Sequence, residues 1–524
     1  MTLGKTPKHR DLFGSSAKFC EDRLGEHSIY KLLARDGARL FPDEDFADLF
    51  ADIGRCSVPP GIVATVMVLQ RVEGLSDREA VERFTFDARW KYAAGGLDFN
   101  YPGFVHTVLV DMRARLRRSQ RPDRIFDAVL EVARLAGLIG RKRVLDSTAL
   151  YDAVATQDTV TMVRSAIRAL LKVSDAALAT ELRCVLTRDD DYVSAGKPAC
   201  EWDDAVARET LVDALAKDAY AVIALLDMRE LSAEVKQAAA LLATVVGQDL
   251  EQRQDGLFAI ARRVATDRVI STVDPDARHG HKTAARGFDG YKGHIAVDPD
   301  SEIVTATCVT AGNVGDGSVA KDLLKEVLDS PATPPSPVGP VEVYGDASYG
   351  TAEIVEHLET AGADANVKVQ APAAPAGRFT KDRFEIDTAA GTVRCPNDQL
   401  VQIRTGKDGS GMARFDKHCP SCPLRVQCTD SKSGRNIRIH AQEDTLARMR
   451  QRQKDPAWRA RYRATRPKVE RKLAHMMARR HGCRRARMRG RLRVAHDFAL
   501  LGAAVNLKRL ARLGVRHGVD GWAI

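Results

Sequence analysis

The sequence predicts a mixed α/β fold: a sheet flanked by helices, with helical blocks before and inside it and a small cysteine-rich piece towards its end. Three observations predict it. Apolar positions recur at helical spacing over two long blocks, from about residue 28 to 137 and from Thr156 to about Ala265. Around the second block come short runs in the order strand, hairpin, helix, strand: RKRVLDSTAL, GYKGHIAVD with EIVTATCVT, DGSVAKDLLKEVLDS and VEVYGDASYG. From Arg378 to about Ile439 the chain changes to alternating pieces rich in Gly, Pro and Cys. The length allows roughly two to four domains. The composition changes divide it into an N-terminal helical domain (1–137), a first part of the sheet (138–155 and 266–376), a helical insertion (156–265), a cysteine-rich insertion (377–440) and an Arg-rich helical end (441–524).

Within the first block, GIVATVMVLQRVEG reads as a helix ended by Gly74. A new helix starts at Ser76, whose partner Glu79 completes a capping box. DREAVERFTFDARWKYAAG then reads as one helix across a tight turn, which suits a helix-turn-helix reading DNA as well as plain packing. RKRVLDSTAL is a short apolar run carrying a carboxylate, so Asp146 is expected on a buried strand. The segment Asp274 to His281, DPDARHGH, offers metal ligands in a Gly-containing loop and reads more simply as surface. In GYKGH, Lys292 and His294 alternate with Tyr291 and Gly293, so both are expected on the cleft side, with Lys292 a candidate phosphate contact. PDS is the hairpin turn, PATPPSPVGP a Pro-rich connection, and Asp346 ends a strand. HDFALLGAAVNLKRLARLGV is an amphipathic helix suited to covering one sheet face.

Charge narrows the partners. The net charge is +10, and between Leu446 and Arg493 stand 19 Lys or Arg against two acids, Asp455 and Glu470, so the remainder is slightly acidic. A phosphate backbone suits such a segment, because each neutralised phosphate releases counterions; a solvated helix face is the alternative. No apolar run approaches the ~18 residues that span a bilayer, and the start MTLGKTPKHRDLFG lacks an apolar signal core, so a soluble, cytoplasmic protein is expected. Ten cysteines are too dilute for a disulfide scaffold. Only Cys395, Cys419, Cys422 and Cys428 cluster, as C-x23-C-x2-C-x5-C with prolines after the first three. Four thiolates suit a structural Zn²⁺, with His418 a possible substitute; free thiols or a redox pair are the alternatives.

Three acids stand out. An aspartate beside Val144 and Leu145 is costly to keep charged unless a cation compensates it. Asp346 follows VEVYG at a strand's carboxyl end, where open sheets place ligands. Two such aspartates on neighbouring strands would hold two Mg²⁺ ions for an in-line displacement, although each alone also fits a turn or cap. Glu470 lies in YRATRPKVERKLAHMMARRHG, in a helix expected from about 467 to 480, with Pro467 at its first position, Gly482 past its end, and Val469, Leu473 and Met476 facing the core. An acid in the first turn also suits the helix dipole, and Arg466 four residues earlier can pair with it. It is nevertheless the only acid between Asp455 and Asp497.

These residues occur in motifs that resemble the DDE transposases of bacterial insertion sequences, from about Phe41 to Leu513. The motifs, in that family's order, are LQRVEGLSDREAVERFTFDARWKYA, VLDSTAL, DPDARHGHK with GYKGHIAVD, VTAGNVGDGS, YGDASYG, and YRATRPKVERKL with RRHGCRRARMRGRLRV. The resemblance implies a ribonuclease-H-like core with Asp146, Asp346 and Glu470 as the triad holding Mg²⁺ or Mn²⁺. It also implies Tyr462 and Arg466 as signature neighbours contacting DNA. Lys472, Arg479, Arg480, Arg484, Arg485 and Arg487 are the further basic residues expected on the backbone. The implied activity is strand cleavage at terminal inverted repeats and transfer of the freed 3′-hydroxyl into target DNA, by a homodimer at the nucleoid. A nuclease that cuts without joining and a non-catalytic DNA-binding repressor are the rival readings. The family pattern carries a Lys seven residues after the glutamate where Met477 stands here, and DFNYPGFVHTVLVDMRARL departs from a more polar stretch in relatives.

Overall fold

The computed structural model describes the chain except residues 6–14, 155, 284, 330–338, 375–376 and 483. Most of the Pro-rich connection PATPPSPVGP, and Cys483, therefore lie outside the described residues. The fold is mixed α/β. Six strands, β1 (Lys142–Tyr151), β2 (Arg278–Thr283), β3 (Arg286–Val297), β4 (Val304–Ala311), β5 (Glu342–Gly345) and β6 (Asp364–Val367), make the main sheet. β1 is central, antiparallel to β3 on one edge and parallel to β5 on the other. β3 pairs antiparallel with β4, β5 pairs parallel with β6, and β2 pairs antiparallel with the start of β3. Helices cover both faces of this central strand, which explains why Val144 and Leu145 are fully buried and why the run carrying Asp146 is so apolar.

Two layers cover this sheet. Val144, Ile295 and Val297 look onto the long helix Arg491–Leu513, and the same apolar core continues without a break into the N-terminal helices. Leu145, Ala296, Val343 and Ala365 look the other way, onto the helices Ala320–Leu328 and Ala352–Thr360. The helices Thr159–Val173, Ala205–Leu226 and Ala233–Asp249 enclose a core of their own. So does a five-stranded antiparallel sheet built from residues 385–439, around Phe384, Val393, Phe415, Cys419 and Cys428. Among the described residues no helix is long and apolar enough to cross a membrane.

Local chemistry sets the ends that matter for the site. The helix Pro60–Glu73 (α1) stops at Gly74, at φ +70, where a Cβ would stand 2.3 Å from the carbonyl oxygen of Arg480. The helix Asp77–Phe86 (α2) opens with the expected capping box of Ser76 and Glu79. It does not continue through Tyr92 as the periodicity suggests. Asp87 is extended and its carboxylate accepts from the backbone N–H of Arg89, so it caps a separate helix, Ala88–Ala93.

The helix Pro456–Thr465 (α3) leads into Pro467–Met476 (α4), which begins at Pro467 as expected but ends four residues earlier than the spacing to Gly482 suggests. Ala478 is extended, and a single 3₁₀ turn follows, closed by Gly482 at φ +64. That turn buries His481 against the carbonyl oxygen of Arg71, 3.3 Å away, and tertiary contact there overrides helix propensity. DPDARHGH also differs from a loop of ligands. Asp274 accepts from the N–H of Gly490 at 3.0 Å and from the Tyr291 hydroxyl at 2.5 Å, while Asp276 accepts from the N–H of Arg491 at 2.9 Å. Both acids thus anchor the start of the Arg491–Leu513 helix (α5). His279 and His281 lie on β2, with His279 paired to Asp289.

Candidate active site

Asp146 sits mid-way along β1, Asp346 directly follows β5, and Glu470 occupies the first turn of α4. What joins them is the guanidinium of Arg466, just before α4. Its Nη2 lies 3.0 Å from Asp146 Oδ1 and 3.7 Å from Asp346 Oδ2, and its Nη1 lies 3.4 Å from Glu470 Oε1. Arg466 is almost wholly buried, while Asp346 and Glu470 face solvent with side chains 42% and 62% exposed. Burial pushes the Asp146 carboxyl above its usual range and Asp346 adds to that push, whereas Arg466 and the N–H of Ser147 pull against it. Burial likewise opposes the charge on Arg466, but the carboxylates outweigh it and its pKa is raised. Three carboxylates from two neighbouring strands and a helix therefore surround one cation.

A second set of polar groups stands behind them. In the β1–β3 register Asp146 faces Ile295, Ser147 faces His294 and Ala149 faces Lys292. Directly opposed residues share a face, so Lys292 and His294 lie on the other side of the sheet from Asp146. Lys292 donates to Asp316 at 2.9 Å and to the carbonyl of Val314 at 2.8 Å, an internal ion pair rather than a free cation in the cleft. Asp316 also accepts from the Ser147 hydroxyl at 2.6 Å. His294 is fully buried, bonded to the Tyr349 hydroxyl at 3.1 Å and to Thr310 at 2.9 Å. The Tyr349 phenol is pushed well above the usual tyrosine value by burial and by the charges of Asp316, Asp146 and Asp346. Sequence reasoning passed over Asp316 and Tyr349 as site residues, although VTAGNVGDGS and YGDASYG contain them.

The basic residues divide by environment. Tyr462 donates to the carbonyl of Gly345 at 3.1 Å, next to Asp346, and its phenol is pushed up to about 12, chiefly by burial. Lys472 is buried and pulled down to about 8 by desolvation. Arg485 donates to the carbonyl of Asp152 at 3.0 Å, and Arg487 donates to the carbonyl of Leu75. Arg480 leans on His475 and His481. Arg479, Arg480, Arg484 and Arg485 are all exposed.

Cys395, Cys419, Cys422 and Cys428 line one small cavity in the five-stranded module, and the backbone N–H of Arg435 donates to Cys419 Sγ at 3.3 Å. Burial raises the Cys428 thiol, with the other three adding to the effect. Among the described residues no three His, Cys, Asp or Glu side chains stand together as a ready-made metal site. Among Asp146, Asp346 and Glu470 it is the Arg466 guanidinium that stands between the carboxylates.

Residues 394–511 match the family model described as Transposase DDE domain, and residues 26–115 match Transposase domain (DUF772). The first match takes in the four cysteines, Tyr462, Arg466 and Glu470; the strands that carry Asp146 and Asp346 fall outside both. No curated protein and no solved structure matches the chain.

Proposed function

We propose, from the matches to the two transposase family models, that the chain acts as a DDE-type insertion-sequence transposase, cleaving DNA at its element's inverted repeats and transferring the freed 3′-hydroxyl into target DNA. The observation carrying this reading is the convergence of Asp146, Asp346 and Glu470 on Arg466. The strand order with β1 between an antiparallel hairpin and two parallel strands supports a ribonuclease-H-like core. An all-oxygen donor set suits Mg²⁺ or Mn²⁺, and a site that already gathers three carboxylates round a positive charge fits divalent cations. When bound there, two such ions would supply activation of the attacking oxygen and stabilisation of the leaving one.

The chain's own residues do the rest. Arg466 trades carboxylates for DNA phosphate, and Tyr462 fixes the Gly345–Asp346 turn. The exposed arginines from Arg459 to Arg493 position the backbone, and the N-terminal helices help read the ends. Two ends must be joined, so the working unit is a homodimer on DNA. On the same reading the four thiols are the candidate ligands of one structural Zn²⁺.

The test is cleavage of a labelled duplex carrying the terminal repeat and its flank, with Mg²⁺ and with EDTA. Wild type should cut at the repeat boundary only with Mg²⁺, and Asp346→Asn and Glu470→Gln should bind the duplex normally while cutting at least 100-fold more slowly. Cutting by Asp346→Asn at the wild-type rate would remove that residue from the chemistry. Cutting without joined products would favour a plain nuclease, and binding without cutting under every metal condition a repressor.

A further inference from the structure

A cavity of about 350 Å³ opens against α3, lined by Tyr462 and Lys368 among others, and no role in the reaction described above accounts for it. Its wall is tied to the active site at one atom: the carbonyl oxygen of Gly345 accepts from both the Tyr462 hydroxyl and the backbone N–H of Lys368, each at 3.1 Å. Lys368, Lys454, Arg459 and Arg463 all line the cavity. The one acid on it, Asp382, is already paired with Arg450 at 2.9 Å. Among the described residues neither Lys454 nor Arg463 has an acidic partner, and Lys368 only overhangs the Tyr462 ring, 5.0 Å from its centroid. Four cations facing one hollow repel each other, an arrangement that an anion would relieve.

A second observation points the same way. Trp458 lines the cavity, is 98% buried (relative exposure 2%) and stacks on Tyr462, yet among the described residues its indole N–H has no acceptor. A buried donor without an acceptor costs roughly 1–3 kcal/mol, so a small movement of the indole that brings its N–H to an anion in the cavity is favourable. Tryptophan offers only a donor, which fits an oxygen-rich anion and excludes a cation.

We infer that this cavity is a phosphate site, which takes the terminal 5′-phosphate of the DNA strand leaving the active site on the Asp346 side. The strand's identity rests on the transposase reading; the phosphate chemistry does not. Lys454 and Arg463 supply charge that no acid neutralises, Arg459 and Lys368 add to it, and the Trp458 N–H becomes a donor once the ring shifts towards the anion. Tyr462 and Lys368 line the cavity and also hold the carbonyl of Gly345 next to Asp346, so phosphate binding there sets the strand's exit path.

The test uses the full-length protein and three probes: a 5′-phosphorylated thymidine trinucleotide, the same trinucleotide with a 5′-hydroxyl, and inorganic phosphate. Equilibrium dialysis gives affinity, and the emission difference between wild type and Trp458→Phe reports on the cavity. The 5′-phosphorylated probe should bind at least 10-fold more tightly than its hydroxyl counterpart and change Trp458 emission, and inorganic phosphate should compete with it. Lys454→Gln/Arg463→Gln should lose at least 10-fold, and Trp458→Phe about 3- to 10-fold. A control, Arg404→Gln/Lys407→Gln, removes equal charge from the small sheet and should lose less than 2-fold. Equal binding of the two trinucleotides, or equal losses in both double variants, would overturn the proposal. If inorganic phosphate binds but no trinucleotide does, the site takes free phosphate and the DNA assignment fails. None of these readouts needs catalysis, so a protein that binds the probe and never cuts DNA would sink the transposase reading and leave the cavity's role standing.

Discussion

Replacing Arg466 with Met keeps the length and apolar stem of the side chain and removes the one cation shared by three carboxylates. Its contacts with Asp146, 3.0 and 3.2 Å long, lie between side chains only 7% and 13% exposed. Unit charges about 4 Å apart at an effective dielectric near 20 interact by about 4 kcal/mol, and breaking a buried pair from one side costs roughly 3–5 kcal/mol. The contacts to Asp346 and Glu470, 3.7 and 3.4 Å long and open to water, add less than about 1 kcal/mol each. Arg466→Met should therefore lose about 3–5 kcal/mol of stability in EDTA. Divalent cations should restore much of it, since a ligand at 100 times its Kd stabilises by about 2.7 kcal/mol. In wild type the guanidinium competes for the same oxygens, so the gain on adding Mg²⁺ should be smaller there. Urea unfolding of both proteins at one pH, with EDTA and with millimolar Mg²⁺, measures both quantities. A loss below about 1 kcal/mol in EDTA, or an equal Mg²⁺ gain in the two proteins, would refute the idea that Arg466 holds the place of metal.

Gly74→Ala forces a left-handed residue and a Cβ 2.3 Å from the Arg480 carbonyl, so about 1–3 kcal/mol of stability should go; a loss under 0.5 kcal/mol in thermal unfolding would mean that the turn after α1 yields freely. Burial pulls the His481 imidazole down to about 4, so its neutral form contributes stability that is complete above the unfolded value near 6.5 and is lost as pH falls towards 4. Over that window wild type should lose up to about 3 kcal/mol more than His481→Gln, which parallel urea midpoints would measure; parallel curves would contradict it. Purified wild type should carry one Zn²⁺ per chain and Cys422→Ser less than half as much by elemental analysis, whereas a zinc-free, stable wild type would remove the metal from that module.

The parts of the fold legible in the sequence are those decided locally. The capping box at Ser76, the stop at Gly74, the strand through Asp146 and the turn at PDS each depend on residues within a few positions of one another. Errors arose where a distant partner decides. α4 ends early because His481 is drawn to Arg71, more than 400 positions away, and DPDARHGH is a clamp because Gly490 and Arg491 fold back onto it. Alternation correctly put Lys292 and His294 on one face of β3, but only the register against β1 shows that this face is not Asp146's. The pairing of Arg466 with Glu470 follows from helical spacing; its simultaneous reach to Asp146 and Asp346 does not.

The same distinction changes how the Arg-rich end should be understood. Counted as charge, it is a uniform phosphate-binding segment. In the folded chain much of it makes bonds within the protein: the buried Arg466 to Asp146, Asp346 and Glu470, the half-buried Arg487 to the turn after α1 and Arg452 to Asp364, and the exposed Arg485 to β1's end and Arg448 to Glu359. These contacts tie the N-terminal helices, the end of β1, β6 and the helix beneath it to one stretch of chain. On the proposed function, the set left to contact DNA is smaller and includes Lys454 and Arg463 on the α3 cavity and Arg479 and Arg484 beyond α4. Removing an internal arginine should therefore lower stability before it lowers the salt dependence of DNA binding. Removing one of the exposed set should do the reverse, reducing the slope of log affinity against log salt by about 0.9 for each phosphate that is no longer neutralised. Arg487→Gln and Arg484→Gln, measured side by side, separate the two classes: if both change only the salt slope, the division drawn from burial and hydrogen bonding is wrong.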